Sequence, residues 1–279
     1  MLKRVPVKHI YAALVCLFVT SSYAAETPKT VTDSCATVSN DATGINAEKI
    51  AATKLVEVSP KIQLNKFASG FVKKYLKENS NGLVKIKERS NPYFKTIDEV
   101  FTRYEIPVEL KYLAVIESKL NTKALSHVGA RGAWQLMPST AKTLGLVVKG
   151  KYDERTNNYK STVAAAKYLK TLYDDLGDWL LVIAAYNSGP GYVYKAIKKA
   201  GSHDFWRLQY FLPKETRNHV KRFISVHYYF EGEGSETTLT KAEWIKYRKE
   251  MTAFTARQPE AKEGTPVVTN VVVIAELKK

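Results

Sequence analysis

Cysteine is nearly absent. Of the two in the chain, Cys16 lies in an apolar run close to the N-terminus, so once that run is removed Cys35 has no partner and an internal disulfide is excluded. Acid is scarce against base, with 27 Asp and Glu facing 43 Lys and Arg and a net charge of +16. Long apolar runs are missing too: Ile10 to Val19 is far short of the ~20 residues that a spanning helix needs, and no later segment comes nearer. The five histidines form no ligand-spaced cluster, so neither a metal nor any other cofactor is expected. Strand signals are almost lacking between Thr96 and Phe230, which points to a mainly α fold.

What is present begins with Lys3, Arg4 and Lys8, the apolar run, and then Ser22-Tyr23-Ala24, the layout of a signal peptide over residues 1–24. Export to the periplasm or cell envelope is the expectation. A lipid anchor at Cys16 is disfavoured, because Val15 precedes it where processing calls for a small residue, and the apolar run continues beyond it. Removing the three basic residues of the signal leaves a charge of about +13. Nucleic acid is the usual partner of such a field. An exported chain, however, meets anionic wall polymer and lipid headgroups first, and Lys-rich faces also serve solubility alone. The sequence carries no signal for an oligomeric state.

Residues 25–60 are rich in Thr, Ser, Ala and Asn without periodicity and read as a linker or weakly ordered arm. An N-terminal helical region follows over 61–95, where Leu64, Phe67, Phe71, Val72 and Tyr75 recur at helical spacing and Asn79 to Gly82 predicts a stop. From 96 to 230 the chain reads as short helices with punctuated joints. Thr96 with Glu99 forms a capping-box pattern, and Pro107 opens a helix over Val108 to Leu120. Further helices run from Pro138 to Leu144, Lys160 to Leu176, Trp179 to Tyr186 behind Asp178, onward to Ala200, and from Pro213 to Phe230. Residues 231–279 read as a short C-terminal tail, with Trp244 and Tyr247 as packing candidates and Val267 to Ile274 as the one strand-like run.

The first chemical signal is Glu117. On the helix from Val108 it shares a face with Leu110, Leu113 and Ala114, so a carboxylate occupies a core-facing position. Glutamate is costly to bury ionised, and desolvation tends to turn it into a proton donor near neutral pH. A buried Glu held by an Arg or by backbone donors would read the same. The segment Ser126 to Pro138 mixes glycines, Ser126, Gln135, Trp134 and Met137 in one irregular stretch. Such residues can bond sugar hydroxyls and offer apolar surface to pyranose rings, although a plain loop with an aromatic plug has similar composition. The third signal is Tyr186-Asn187 before Gly189-Pro190-Gly191, a good helix terminator whose polar groups are expected to reach outward.

Taken in order, Glu117-Ser118, the Ser126-x-x-Gly129-Ala130-x-Gly132-x-Trp134-Gln135-x-Met137-Pro138 run, Ala185-Tyr186-Asn187-x-Gly189 and Leu212-Pro213-x-Glu215-Thr216-Arg217 resemble the signatures of soluble-type lytic transglycosylases, in particular the membrane-bound type D branch. The likeness spans Thr96 to Phe230. It implies a lysozyme-like catalytic domain, with an N-terminal helical extension and a short C-terminal tail, acting on peptidoglycan glycan strands. Glu117 would be the single acid/base, and Ser126, Gln135, Met137, Tyr186 and Asn187 would line the sugar site. It also implies cleavage of the bond between N-acetylmuramic acid and N-acetylglucosamine with closure of a 1,6-anhydro ring.

Two departures stand out. His219 occupies the place of a family tyrosine and is the candidate to orient Glu117, and no peptidoglycan-binding repeat is recognisable after Glu231. Two alternatives remain open at this level. A goose-type hydrolase would need a second acid, for which Asp153, Glu154, Asp174 and Asp175 are available on segments that read as solvated. A non-catalytic glycan-binding protein could keep the same fold. Nucleic-acid binding would explain the charge and none of the four motifs.

Overall fold

The computed structural model describes residues 58–258; the expected signal peptide, most of the expected 25–60 arm and the strand-like Val267 to Ile274 run lie outside the described residues. The described chain is mainly helical, and none of its helices is long and apolar enough to cross a membrane.

Helix α1 (Lys66–Arg103) is one continuous helix capped by Asn65, whose side chain accepts from the Phe67 N–H. The expected stop at Asn79 to Gly82 does not occur, and Thr96 is an interior residue rather than a cap. A glycine costs a helix about 1 kcal/mol and an interior proline about 3. The apolar stripe Ala68, Val72, Leu83, Ile86, Ile97, Val100 and Phe101 is buried, and the helix packs on α4 (Asn158–Leu176) and α8 (Lys214–Glu231). Burying side chains of this size at about 1.5–3 kcal/mol each outweighs Gly70, Gly82 and Pro92 together. Pro92 lies inside the helix, and Thr96 Oγ1 donates back to its carbonyl at 3.3 Å. The expected boundary between residues 95 and 96 therefore falls inside a single helix.

The centre of the core is α5 (Trp179–Ser188), in which every residue from Trp179 to Ala185 is buried. Asp178 caps it, accepting from the Leu180 and Leu181 N–H groups at 2.9 and 3.2 Å. Around it pack α4, which ends at left-handed Gly177, α6 (Pro190–Ala200), which ends at left-handed Gly201, and α8. The smaller elements are α2 (Tyr112–Ser118), α3 (Pro138–Thr143), α7 (Phe205–Leu208) and an antiparallel pair, β1 (Val148–Lys149) with β2 (Tyr152–Asp153).

The described part of the expected C-terminal tail is helical instead. A capping box at Thr240 and Glu243 opens α9 (Lys241–Arg257). Its first turn is anchored: the Lys241 N–H donates to Asp178 Oδ2 at 2.6 Å, and Glu243 accepts from Asn65 Nδ2 at 2.7 Å and Trp206 Nε1 at 3.1 Å. Trp244 stacks on Tyr247.

Candidate active site

A 3-10 turn at Val108–Lys111 leads into α2, which ends at Ser118, two residues before the sequence pattern suggests. Lys119 and Leu120 then take left-handed φ values of 56° and 61°. Each such residue costs about 1–2 kcal/mol, and the Leu120 side chain, fully buried, offsets part of it. This sharp exit leaves Glu117 in the last turn of a short, well-seated helix. Leu110, Leu113 and Ala114 are fully buried beneath it, while the Glu117 side chain keeps 16% exposure at the mouth.

Facing it is His219 on α8, only 3% exposed, with Nε2 lying 2.8 Å from Glu117 Oε1. His219 Nδ1 is buried with no hydrogen-bond partner among the described residues. A proton on Nδ1 would be an orphaned buried donor, which costs about 1–3 kcal/mol. The ring proton is therefore assigned to Nε2, which donates to Glu117.

The Ser126 to Pro138 loop is held against α2 from several sides. Ser118 Oγ donates to the Ala133 carbonyl at 2.8 Å, and Tyr186 Oη donates to the Trp134 carbonyl at 2.7 Å. Arg155 Nη1 donates to the carbonyls of Gly129 and Leu136 at 2.7 and 2.8 Å. Gly132 passes so close to residue 155 that a Cβ there would stand 1.9 Å from the Arg155 carbonyl oxygen, at a φ of +83°. Only glycine fits.

The predicted site residues are treated unequally by this loop. Trp134 offers nothing to a sugar: it is fully buried, its Nε1 donating to Thr162 Oγ1 at 3.0 Å and its ring beside Phe101. It is the aromatic plug on which the loop closes. Ser126 Oγ accepts from the Ala130 N–H at 2.9 Å, closing a local turn. Gln135, at φ +47°, donates through Nε2 to the Gly132 carbonyl at 2.9 Å. Met137 is half-buried and precedes Pro138 at the start of α3.

At the end of α5, Tyr186 does not reach outward. Its hydroxyl is turned in to Trp134, and burial, reinforced by the nearby Glu117 charge, holds its pKa well above the ordinary tyrosine value. Asn187 Oδ1 accepts from Thr216 Oγ1 at 2.9 Å, tying α5 to the start of α8. The structure thus brings His219 onto Glu117 and Tyr186 into the same neighbourhood. Ser126, Gln135 and Asn187 each spend one polar atom on local bonds.

The sequence singled out neither Arg155 nor the latch made by Ser118, since neither residue type is diagnostic until its partner carbonyls are known. Two of the four acids considered for a second carboxylate are buried rather than solvated. Asp153 is paired with Arg155 at 2.7 Å, which holds its carboxyl below the usual range. Glu154 accepts from the Val147 N–H and pairs with Lys160, with the same direction of shift. Asp174 is exposed on α4 beside Lys170, and Asp175 is exposed next to it.

A short helix carrying a half-buried glutamate, a glycine-laced loop latched to it and a central apolar helix make up a mainly helical domain. Residues 96–209 match the family described as Transglycosylase SLT domain. The chain is 39% identical over 160 residues to membrane-bound lytic murein transglycosylase D of Escherichia coli, covering 55% of this chain and 34% of that protein. It is 30% identical over 162 residues to the soluble lytic murein transglycosylase of the same organism, covering 53% and 25%. Among solved structures, the 70 kDa soluble lytic transglycosylase Slt70 from Escherichia coli matches over 53% of this chain and 26% of that one, at 29% identity and a TM-score of 0.44. The chain spans about a third of the length of the type D relative.

Proposed function

We propose that this chain is an exported peptidoglycan lytic transglycosylase of the periplasm or cell envelope, with Glu117 as its only acid/base. The observation that carries the reading is the Glu117–His219 pair, a carboxyl group at the mouth of the domain with one oxygen engaged by a buried imidazole. The names of the relatives, lytic murein transglycosylases, support the same substrate.

In this reading His219 donates to Oε1, so the transferable proton rides on Oε2. Glu117 gives that proton to the glycosidic oxygen between N-acetylmuramic acid and N-acetylglucosamine as the C1–O bond breaks. The carboxylate left behind then takes the proton of the muramoyl 6-hydroxyl, whose oxygen bonds to C1. Glu117 ends protonated as it began, and no water is consumed. A hydroxyl tethered to the same sugar has a large effective concentration. Ordinary hydrolysis needs a second carboxylate to place water, and Asp153 and Glu154 are already committed to Arg155 and Lys160. Ser126, Gln135, Met137, Tyr186 and Asn187 border the sugar site, and Tyr186 acts by fixing the Trp134 carbonyl.

The test is mass analysis of material released from purified sacculi. New ends should carry 1,6-anhydromuramic acid, about 18 mass units lighter than the reducing ends left by a glycoside hydrolase, and should stay unlabelled in heavy-oxygen water. Labelled reducing ends would replace the lyase with a hydrolase.

A further inference from the structure

Helix α6 begins directly after Asn187 and Ser188, at a Gly189 with φ 84° and ψ 150°. The 3-10 turn Gln209–Phe211 packs on α6 and leads through Leu212 and Pro213 into α8, whose Thr216 bonds Asn187. Both elements therefore border the candidate site. Helix α6 turns Val193 and Ala196 into the core and leaves Tyr192 and Tyr194 exposed. The turn buries Gln209 and leaves Tyr210 63% and Phe211 50% exposed. Single exposed aromatics are ordinary, but four exposed rings on two elements that pack together, with Tyr192 and Tyr194 on different sides of α6, are a local concentration.

The same stretch is cationic. Lys195 lies 5.8 Å from the centre of the Tyr192 ring. Neither it nor Lys198, Lys199 or Arg207 has an ion-pair partner among the described residues. The one acid between Pro190 and Leu212, Asp204, is spent on the Arg207 N–H at the start of α7. Aromatic faces suit the C–H faces of pyranose rings, and unpaired lysines suit the carboxylates of peptides attached to a glycan.

Resting on the glycan-cleaving reading above, we propose that α6 and the Gln209–Phe211 turn form a second substrate-binding face, an aromatic and cationic platform that holds peptide-bearing peptidoglycan away from the bond being cut. It captures polymer through rings and charges that take no part in proton transfer. Retention of long strands is its consequence.

The measurement is sedimentation binding to purified sacculi in a Glu117→Gln background, so that nothing is consumed. Two double variants, Tyr210→Ser with Phe211→Ser and Tyr192→Ser with Tyr194→Ser, change exposed rings only, and thermal melting checks that each still folds. Loss of interface aromatics commonly costs more than about 1 kcal/mol, so at least one pair should weaken binding about fivefold or more. A smaller change in both pairs overturns the platform. So does displacement of the protein by a single-stranded oligonucleotide but not by peptidoglycan fragments, because stacking rings beside lysines also suit nucleic acid. The two readings fail separately: wild-type protein that binds through this face yet releases no anhydro ends sinks the catalytic reading, whereas active enzyme whose binding ignores the substitutions sinks the platform.

Discussion

The proposed mechanism concentrates the chemistry in one carboxyl group, that of Glu117, so its amide is the sharpest probe. Glu117→Gln keeps the shape and can accept from His219, but it has no proton to give; turnover of sacculi should fall about 10²–10⁴-fold, the usual worth of acid–base catalysis, with the melting temperature nearly unchanged. More than about a tenth of wild-type turnover would remove Glu117 from its role. His219 calls for a paired test. His219→Phe takes away the donor to Oε1 and should lower kcat up to about 10²-fold by loosening the carboxyl, while His219→Tyr, which restores an O–H donor, should recover most of it with KM little changed in either variant. Equal losses in both would make His219 a packing residue only. Glu117 was legible because a charged residue on an otherwise apolar helix face breaks a pattern. Composition could not say which way Trp134 and Tyr186 point, because a sugar platform and a core plug use the same ring. Both turn inward because the loop needs an aromatic to close on and the Trp134 carbonyl needs a donor.

At the level of elements, the caps were the readable part. Asp178 and Pro213 mark their helix ends in the sequence as they do in the structure, because a cap is a local arrangement between neighbouring residues. Helix α1 was not readable: its breakers at Gly82 and Pro92 are local, whereas what overrides them is packing against α4 and α8, far along the chain. Gly132 belongs with such long-range features. Gly132→Ala should destabilise the domain by about 2 kcal/mol or more, since both a positive φ and a backbone oxygen oppose the methyl group; an unchanged urea midpoint would mean the loop is free to shift. Asp178 joins two elements, capping α5 and receiving the first N–H of α9, and burial pushes its pKa up to about 6. A folded-state value above the ordinary 3.8 means that the folded protein holds this proton more tightly than the unfolded chain. The contribution to stability is then full below about pH 4, falls as pH rises toward about 6, and is flat beyond, with a total of roughly 2–3 kcal/mol. Asp178→Asn should flatten that part of the stability-against-pH curve measured by urea unfolding, and persistence of the slope would assign it to another group.

For the molecule as a whole, charge and chemistry act over different distances. The chain carries +16 in total, whereas the proposed proton transfers occur between groups in contact, such as His219 and Glu117 at 2.8 Å. Salt separates the two. Raising ionic strength from about 0.1 to 1 M shortens the Debye length from ~10 to ~3 Å, which removes most attraction between exposed lysines and an anionic wall polymer. Contacts at the mouth of the domain, partly shielded from solvent, are screened much less. Turnover of sacculi should therefore lose affinity first, with KM rising about tenfold over that range and kcat changing less than about twofold, because long-range steering governs capture rather than the chemical step. A fall in kcat at constant KM would place the salt-sensitive interaction inside the site itself. In that case the basic surface would serve solubility alone, and capture of the strand would rest on the rings of α6 and the Gln209–Phe211 turn.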